Sequence, residues 1–550
     1  MTDSQFKPPS GGKKNTMTII IAIVVVVIVI AAAVVVVELE RKPVTPTPSK
    51  TVEFYTYWST TGKVALEKLS PAFHNATGLT LSPFVSPGAG GINAKYAILA
   101  LIEAGKPPAT FQTHYGTEML SYVEAAPNGL NSFVNMGPVA EKMNLINNSF
   151  PEVIEAGSFN GTTLSLPVDL HQGAQMYFNP AVLKKYDQKV PTTLPQLVNV
   201  TKNLTADKQV AWFIGGADGG FDQIVLWGDI LLAVAGSQLY DQFTYGIMSP
   251  QLWNDINITN NYFSVFENAS YPGEQSMSWT QGIPLVTSGK VAFQDNGNWE
   301  TNYAFDYLNI TNYPYIAPYT NWTNITLMST SFPGTSQYYE MISDSVAVPT
   351  GSTQTNGLTF AKYFASYAGQ RIFTKWKAVT FYDNITTNYY NTPAQWYSYQ
   401  QAKSTPSNKW VYQLQAGMFD GPTASFESAL TTFYESFTST SASSTYNSAA
   451  SALDHSLSSV LSSELSEWKA ANSLGLGYLG TTGHPFGGYL PPWANTTANR
   501  TASSNLVTVN TAHESNVAVN NLPVKYVYIS PFSFLYLENL VISGTTFVKS

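Results

Sequence analysis

The chain has 550 residues, with 27 Lys and Arg against 35 Asp and Glu, for a net charge of -8. Charged residues make up only 11% and no basic run appears, which argues against a nucleic-acid partner. There is no cysteine, so disulfides and thiol chemistry are excluded, although a chain this long can bury sizeable cores without cross-links.

Residues 1–18 carry Lys7, Lys13 and Lys14 and are expected to form a short cytoplasmic tail. Residues 19–37 are an unbroken apolar run, close to the ~20 residues a helix needs to span a bilayer. Ala31, Ala32 and Ala33 offer an alternative as a signal cleavage site, but Val34 to Val37 prolong the run and favour a retained single-pass anchor with the body outside, N-in and C-out. Pro43, Pro46 and Pro48 make residues 38–50 an extended spacer. An exported body also suits thirteen Asn-x-Ser/Thr sequons: Asn75, Asn147, Asn160, Asn199, Asn203, Asn257, Asn268, Asn309, Asn321, Asn324, Asn384, Asn495 and Asn499. Polarity carried by Tyr, Asn, Ser and Thr rather than by charge suits either an acidic exterior or a glycosylated surface.

From residue 51 the pattern alternates. Residues 52–58 are β-rich. Leu66, Leu69 and Phe73 then recur at helical spacing, with Pro71 expected to kink that helix. Asn93 reads as the N-cap of a helix over 94–104, which Gly105, Pro107 and Pro108 end. A strand over 109–113 and a helix over 117–125 follow. This rhythm predicts a mostly parallel sheet covered by helices. Residues 164–168 and 341–348 read as strands and 358–367 as a helix. Leu453, Leu457, Leu461 and Trp468 form a helical stripe, read as core packing. Residues 475–550 read as a β-rich extension.

The six histidines show no zinc-ligand spacing, and neither a Gly-x-Ser-x-Gly elbow nor a phosphate loop is present, so no metal, cofactor or catalytic group is expected. Polar and aromatic residues do recur at strand ends: Trp58, Gln112, His114, Asp169 and His171. In open parallel sheets that is where ligands bind.

Several segments, in order, resemble the sugar-binding proteins of ABC importers, the glucose/mannose-binding subgroup in particular. They are Tyr-Trp-Ser-Thr-Thr-Gly-Lys-Val-Ala-Leu (57–66), Gly-Ala-Gly-Gly-Ile-Asn-Ala-Lys (88–95) and Gly-Lys-Pro-Pro-Ala-Thr-Phe-Gln-Thr-His-Tyr-Gly-Thr-Glu (105–118). Phe-Asn-Gly-Thr-Thr-Leu-Ser-Leu-Pro-Val-Asp-Leu-His (159–171), Ser-Gly-Lys-Val-Ala-Phe (288–293) with Gly-Asn-Trp (297–299), and Ser-Asp-Ser (343–345) continue the match. The resemblance covers about 51–470.

It implies a two-lobed, type II periplasmic-binding-protein-like α/β fold with a hinge. Lobe 1 would comprise 51–168 plus 315–378, and lobe 2 would comprise 169–314 plus 379–474. It also implies a monomer without enzymatic activity that passes a sugar, a monosaccharide such as glucose, to permease subunits. By position, Gln112 and His114 would bond sugar hydroxyls, Asp344 would accept from a pair of them and Lys377 would donate. Trp279 and Trp299 would pack on pyranose faces, Trp58 would line the cleft, and Asp169 and His171 would be further ligands. The family's carboxylate after the first strand falls near Gly62 and a later histidine near Ala416, so the hydroxyl pattern departs there. Rival readings are an extracellular glycoside hydrolase, with a carboxylate pair in the cleft, and a structural cell-surface glycoprotein, with no cleft.

Overall fold

The computed structural model describes residues 50–86, 91–159, 162–310, 325–438, 443–473 and 476. The expected tail, anchor and most of the spacer, the β-rich extension apart from Leu476, and sequons Asn160, Asn321, Asn324, Asn495 and Asn499 lie outside the described residues.

In chain order the described strands are β1 (Thr51–Thr56), β2 (Thr80–Val85), β3 (Thr110–His114), β4 (Ser158–Phe159), β5 (Thr162–Thr163), β6 (Ser165–Pro167), β7 (His171–Gln172), β8 (Gln175–Phe178), β9 (Val210–Phe213), β10 (Val291–Asn296), β11 (Met328–Ser331), β12 (Tyr339–Ile342), β13 (Asp344–Ala347) and β14 (Trp410–Tyr412). The first sheet runs β2-β1-β3-β13-β6 and the second β11-β8-β10-β9. Between them in connectivity stands the small sheet β14-β12-β7. In the first sheet β1 is parallel to β2 and β3, whereas β13 is antiparallel to β3 and β6. The sheet is thus mixed: β13 alone runs against the other four strands.

Local sequence accounts for the elements. The Thr61–Thr77 helix buries Ala65, Leu66, Leu69 and Phe73 on one face. Gly78 ends it at φ 71°, a left-handed conformation that costs glycine nothing, and its N–H returns to the His74 carbonyl at 2.8 Å. Pro71 sits inside this helix without ending it. The next helix, Ile92–Glu103, starts two residues before the expected 94, and its N-cap is Gly91 at φ 100° rather than Asn93. The expected strand over 341–348 is two strands, β12 and β13, broken at Ser343 where the chain passes from the small sheet to the first.

The expected lobe boundaries differ from the sheet membership. β11, placed by sequence with lobe 1, pairs antiparallel with β8 in the second sheet. Val379, Phe381, Tyr382, Tyr389 and Tyr399, placed with lobe 2, pack in the core of the first sheet with Phe54, Leu66 and Phe364. The crossings at 168–171 and 376–379 are short and partly apolar, without linker composition, so they leave no mark in the sequence.

The two longest helices among the described residues run through these cores. Phe221–Thr244 is long and apolar enough to cross a membrane, but most of it is buried in the core of the second lobe with Trp212 and Phe293. Ser443–Ser473 carries the predicted stripe, divided between two cores. Leu453, Leu457 and Leu461 pack in the second lobe's core, while Leu465, Trp468 and Ala471 pack with Ile98, Tyr122 and Phe111 of the first.

Candidate ligand-binding site

Three passages of chain between the sheets meet at one point. Asp169 and His171 lie between β6 and β8, Asp344 opens β13, and Lys377 precedes Val379, whose N–H and C=O pair with Leu170 at 2.9 and 2.7 Å. Ala378, directly after Lys377, is held at φ 62°, a conformation that an alanine reaches only under strain. Its N–H bonds Asn302 Oδ1 at 2.9 Å and its carbonyl accepts from Gln395 at 2.8 Å, so the surroundings enforce the turn that aims Lys377.

The Lys377 ammonium lies 2.8 Å from Asp169 Oδ2 and 2.7 Å from Asp344 Oδ2 and also contacts His171 Nε2. Its charge sits 5.0 Å from the centre of the Trp58 ring. Asp169, His171 and Asp344 alone would make a metal-capable set, but the lysine ammonium is the cation seated against all three. Asp344 is saturated with donors: Tyr57 Oη at 2.7 Å and Gln112 Nε2 at 2.8 Å on Oδ1, and Trp58 Nε1 at 3.2 Å on Oδ2. Burial pushes its carboxyl up, but Lys377 and the two histidines outweigh burial and hold it well below the usual carboxylate range. Burial lowers Lys377, but Asp169 and Asp344 outweigh it and raise the ammonium. For His171 burial and Lys377 lower the imidazole, yet Asp169 and Asp344 leave it raised.

Beside this ionic cluster is a cavity of about 350 Å³ lined by residues of both lobes. The first lobe contributes Tyr57, Trp58, Gly62, His114 and Asp344, and the second Asp218, Phe221, Trp279 and Trp299. Trp299 stands edge-on to His171 at 5.4 Å and tilted to Phe221 at 5.9 Å. Asp218 accepts from the Trp279 N–H at 2.9 Å and from Ser278 Oγ at 2.8 Å, fixing the Trp279 loop. Charged and hydrogen-bonding groups and aromatic rings therefore line the same cavity. That combination suits a neutral, hydroxyl-rich ring with apolar C–H faces.

Of the residues expected to bind ligand, Trp58, His114, His171, Trp279, Trp299, Asp344 and Lys377 line the cavity. Gln112 and Asp169 do not: Gln112 backs Asp344, and Asp169 holds Lys377 and accepts the Asp344 N–H at 2.8 Å. Tyr57, Asp218, Phe221, Gln413 and Gln415 were missed. The Gly-Gly-Ala-Asp-Gly-Gly stretch at 215–220 was the available signal for Asp218 and Phe221.

The two departures have structural reasons. A Cβ on Gly62 would lie 2.4 Å from Trp58 Cγ, so no side chain fits there while Trp58 holds its place. Ala416 is buried in the core, and its neighbours Gln413 and Gln415 line the cavity instead. Gly62→Ala is accordingly expected to tilt Trp58 off Asp344 and weaken ligand binding about tenfold, as read by calorimetry; unchanged affinity would show that the indole can shift without consequence.

The sequence profile of the bacterial extracellular solute-binding proteins matches residues 57–371, the span that builds most of this cavity. The chain belongs to that family. The family is one of binding proteins, not of enzymes. A curated relative, the glucose-binding protein GlcS of Saccharolobus solfataricus, is 45% identical over 447 residues, covering 80% of this chain and 79% of that one. An uncharacterised ABC transporter extracellular-binding protein of Pyrococcus horikoshii is 28% identical over 271 residues, covering 47% and 59%. Among solved structures, a chitin oligosaccharide binding protein superimposes with TM-score 0.59 at 14% identity, over 76% of this chain and 100% of that one. A RafE complex with raffinose gives 0.54 at 13%, over 75% and 99%. At such identities these likenesses carry the two-lobed fold of the family.

Proposed function

We propose that the chain captures a sugar, with glucose the first candidate, between its lobes and delivers it to the permease of an ABC importer. The observation that carries this reading is one cavity lined both by the charged Asp344–Lys377 pair and by the rings of Trp58, Trp279 and Trp299. Charge-assisted bonds of this kind are about twice as strong as neutral ones. Micromolar capture needs ~8 kcal/mol, within reach of several such bonds and two stacked rings. The relationship to GlcS supports glucose as the first candidate.

The reading includes a monomer tethered by 19–37 with its body outside. Glycosylation belongs to the same reading. All eight sequon asparagines within the described residues, Asn75, Asn147, Asn199, Asn203, Asn257, Asn268, Asn309 and Asn384, are exposed, whereas Asn179, Asn260, Asn296, Asn298 and Asn302, none in a sequon, are buried. Intact-mass and glycopeptide measurements on protein from native membranes test both points.

Calorimetry against a panel of mono- and oligosaccharides tests the function. Saturable binding of a sugar is expected, and no binding by any member would overturn the reading. Trp299→Ala is expected to weaken binding about tenfold or more while the protein stays folded, because it removes a ring from the apolar wall. An unaltered dissociation constant would remove Trp299 from the site.

A further inference from the structure

Two carboxylates line the cavity among the described residues, Asp344 from the first lobe and Asp218 from the second. A carboxylate has about four acceptor positions. Asp344 fills its own from within the protein, with Tyr57 and Gln112 on Oδ1 and Trp58 and Lys377 on Oδ2. Lys377 spends its ammonium on Asp169, Asp344 and His171, and His171 Nδ1 contacts Asn298 Oδ1 at 2.7 Å. His114 lies between Tyr57 and Glu118; burial raises the Glu118 carboxyl, but Lys95 and His114 outweigh it and bring it down to about 2. These charged groups are therefore matched to one another, and a ligand hydroxyl can bond one of them only by displacing an internal partner.

Asp218 has capacity to spare. Ser278 Oγ and the Trp279 N–H both donate to Oδ2, whereas no described residue donates to Oδ1 or forms an ion pair with Asp218. The side chain is nevertheless fixed. Beyond β9 the 214–220 turn lies against residues 274–279, with the Gly216 N–H on the Glu274 carbonyl and the Ala217 N–H on the Met277 carbonyl, each at 3.1 Å. A Cβ on Gly216 would lie 2.5 Å from Gln275 Cα, so this approach requires a glycine. From below, Glu274 accepts the Ile214 N–H at 2.8 Å and the Tyr434 hydroxyl at 2.7 Å, and Asp222 accepts the Gly215 N–H at 2.7 Å. Asp218 itself is only 8% exposed. It is a held acceptor at the cavity, not a mobile surface charge.

We propose that Asp218 is a specificity-determining residue of the site, whose Oδ1 takes a hydrogen bond from one sugar hydroxyl. This deepens the sugar-binding reading and rests on it. A hydroxyl placed there makes a charge-assisted bond, about twice as strong as a neutral one. A sugar lacking that hydroxyl would seal the oxygen away from water without a donor, and a site built around a hydrogen bond discriminates strongly for that reason. The same carboxylate holds the loop that carries Trp279, so one group ties the hydroxyl to the position of an aromatic ring lining the cavity.

Calorimetry on the native chain and on Asp218→Asn tests the proposal, with the tightest-binding sugar of the panel, glucose the first candidate, and its monodeoxy derivatives, each lacking one hydroxyl. Two donors already claim Oδ2, so the asparagine keeps its carbonyl there and turns its NH2 group to the cavity, exchanging an acceptor for a donor. Binding of the parent sugar is expected to fall about tenfold or more, with thermal unfolding near the native value. One derivative is expected to bind the native chain about tenfold weaker than the parent sugar yet to bind Asp218→Asn as well as the parent does, because the hydroxyl it lacks is the partner of Oδ1. Ser278→Ala loosens the Trp279 loop without touching Oδ1 and is expected to weaken every sugar by one common factor. Asp218→Ser, which also removes Oδ1, repeats the comparison with a second side chain. If the Asp218 variants weaken every sugar by one common factor, or leave all affinities unchanged, the residue only shapes the loop and the proposal is overturned. That result in a native chain that binds sugar would sink the proposal alone, whereas a native chain that binds no sugar of the panel would sink the functional reading and the proposal together.

Discussion

Lys377→Met is expected to weaken sugar binding by about a hundredfold or more and to lower thermal stability at the same time. The ammonium is the shared counter-ion of Asp169 and Asp344, both buried. Methionine fills the volume of the stem but leaves two carboxylates a few ångströms apart with no cation between them except His171. Removing one partner from a buried ionic cluster typically costs ~3–5 kcal/mol, because the remaining charges are stranded away from water. The remaining relief is protonation of one carboxyl, which at Asp344 would disturb the hydrogen bonds from Tyr57, Gln112 and Trp58 that shape the cavity wall. Calorimetry and thermal unfolding on the same variant check both effects. A variant that binds sugar with native affinity would mean that the cluster serves folding alone.

Stability is expected to be greatest in weakly acidic solution and to fall as pH rises toward about 8. Ten buried carboxyls are raised mainly by loss of hydration: Asp222, Asp229, Asp241, Glu267, Glu274, Asp295, Glu300, Glu340, Glu427 and Glu464. None of them takes part in an ion pair with Lys, Arg or His among the described residues. Glu274 is pushed up to about 7 and Glu427 to about 8. A group raised on folding contributes stability that is fully present below its unfolded value and is lost as pH climbs through its folded value. For Glu274 and Glu427 that window runs from about 4.5 up to about 7 and about 8, worth on the order of 3 and 5 kcal/mol respectively. Asp344 and Glu118 are lowered on folding and act oppositely: their contribution is present above the unfolded carboxylate range and lost below it. The two trends cross in weak acid. Thermal unfolding between about pH 3 and pH 8 checks this, and a melting temperature that holds level or climbs from about pH 5 to pH 8 would contradict it. Of the two readings that the low charge content left open, an acidic exterior is the one under which these carboxyls keep their protons.

Much of the site was legible because strand ends are punctuated. The β-rich 52–58 run and the 109–113 run placed Trp58 and His114 at the edge of the first sheet, where both line the cavity. Gln112 shares a face of β3 with His114, and periodicity cannot say that it lies one step deeper, under Asp344. Tyr57 was passed over because a strand read through 58 sets it on the opposite face from Trp58, whereas the strand ends at Thr56 and both residues line the cavity. Glu118 and Lys95 carried no signal in the sequence, because the ion pairs that join them to His114 and Asp420 form only on folding.

The Ser443–Ser473 helix, rooted at one end in each core, also has a mechanical meaning. A 31-residue helix is about 46 Å of stiff rod, and a rod clamped to two bodies resists their sliding or splaying far more than their twisting about its own length. The lobes are therefore not two jaws on a free pivot but a braced frame, in which the work of parting them falls on the short stretch between Leu461 and Leu465 where the rod passes from one anchorage to the other.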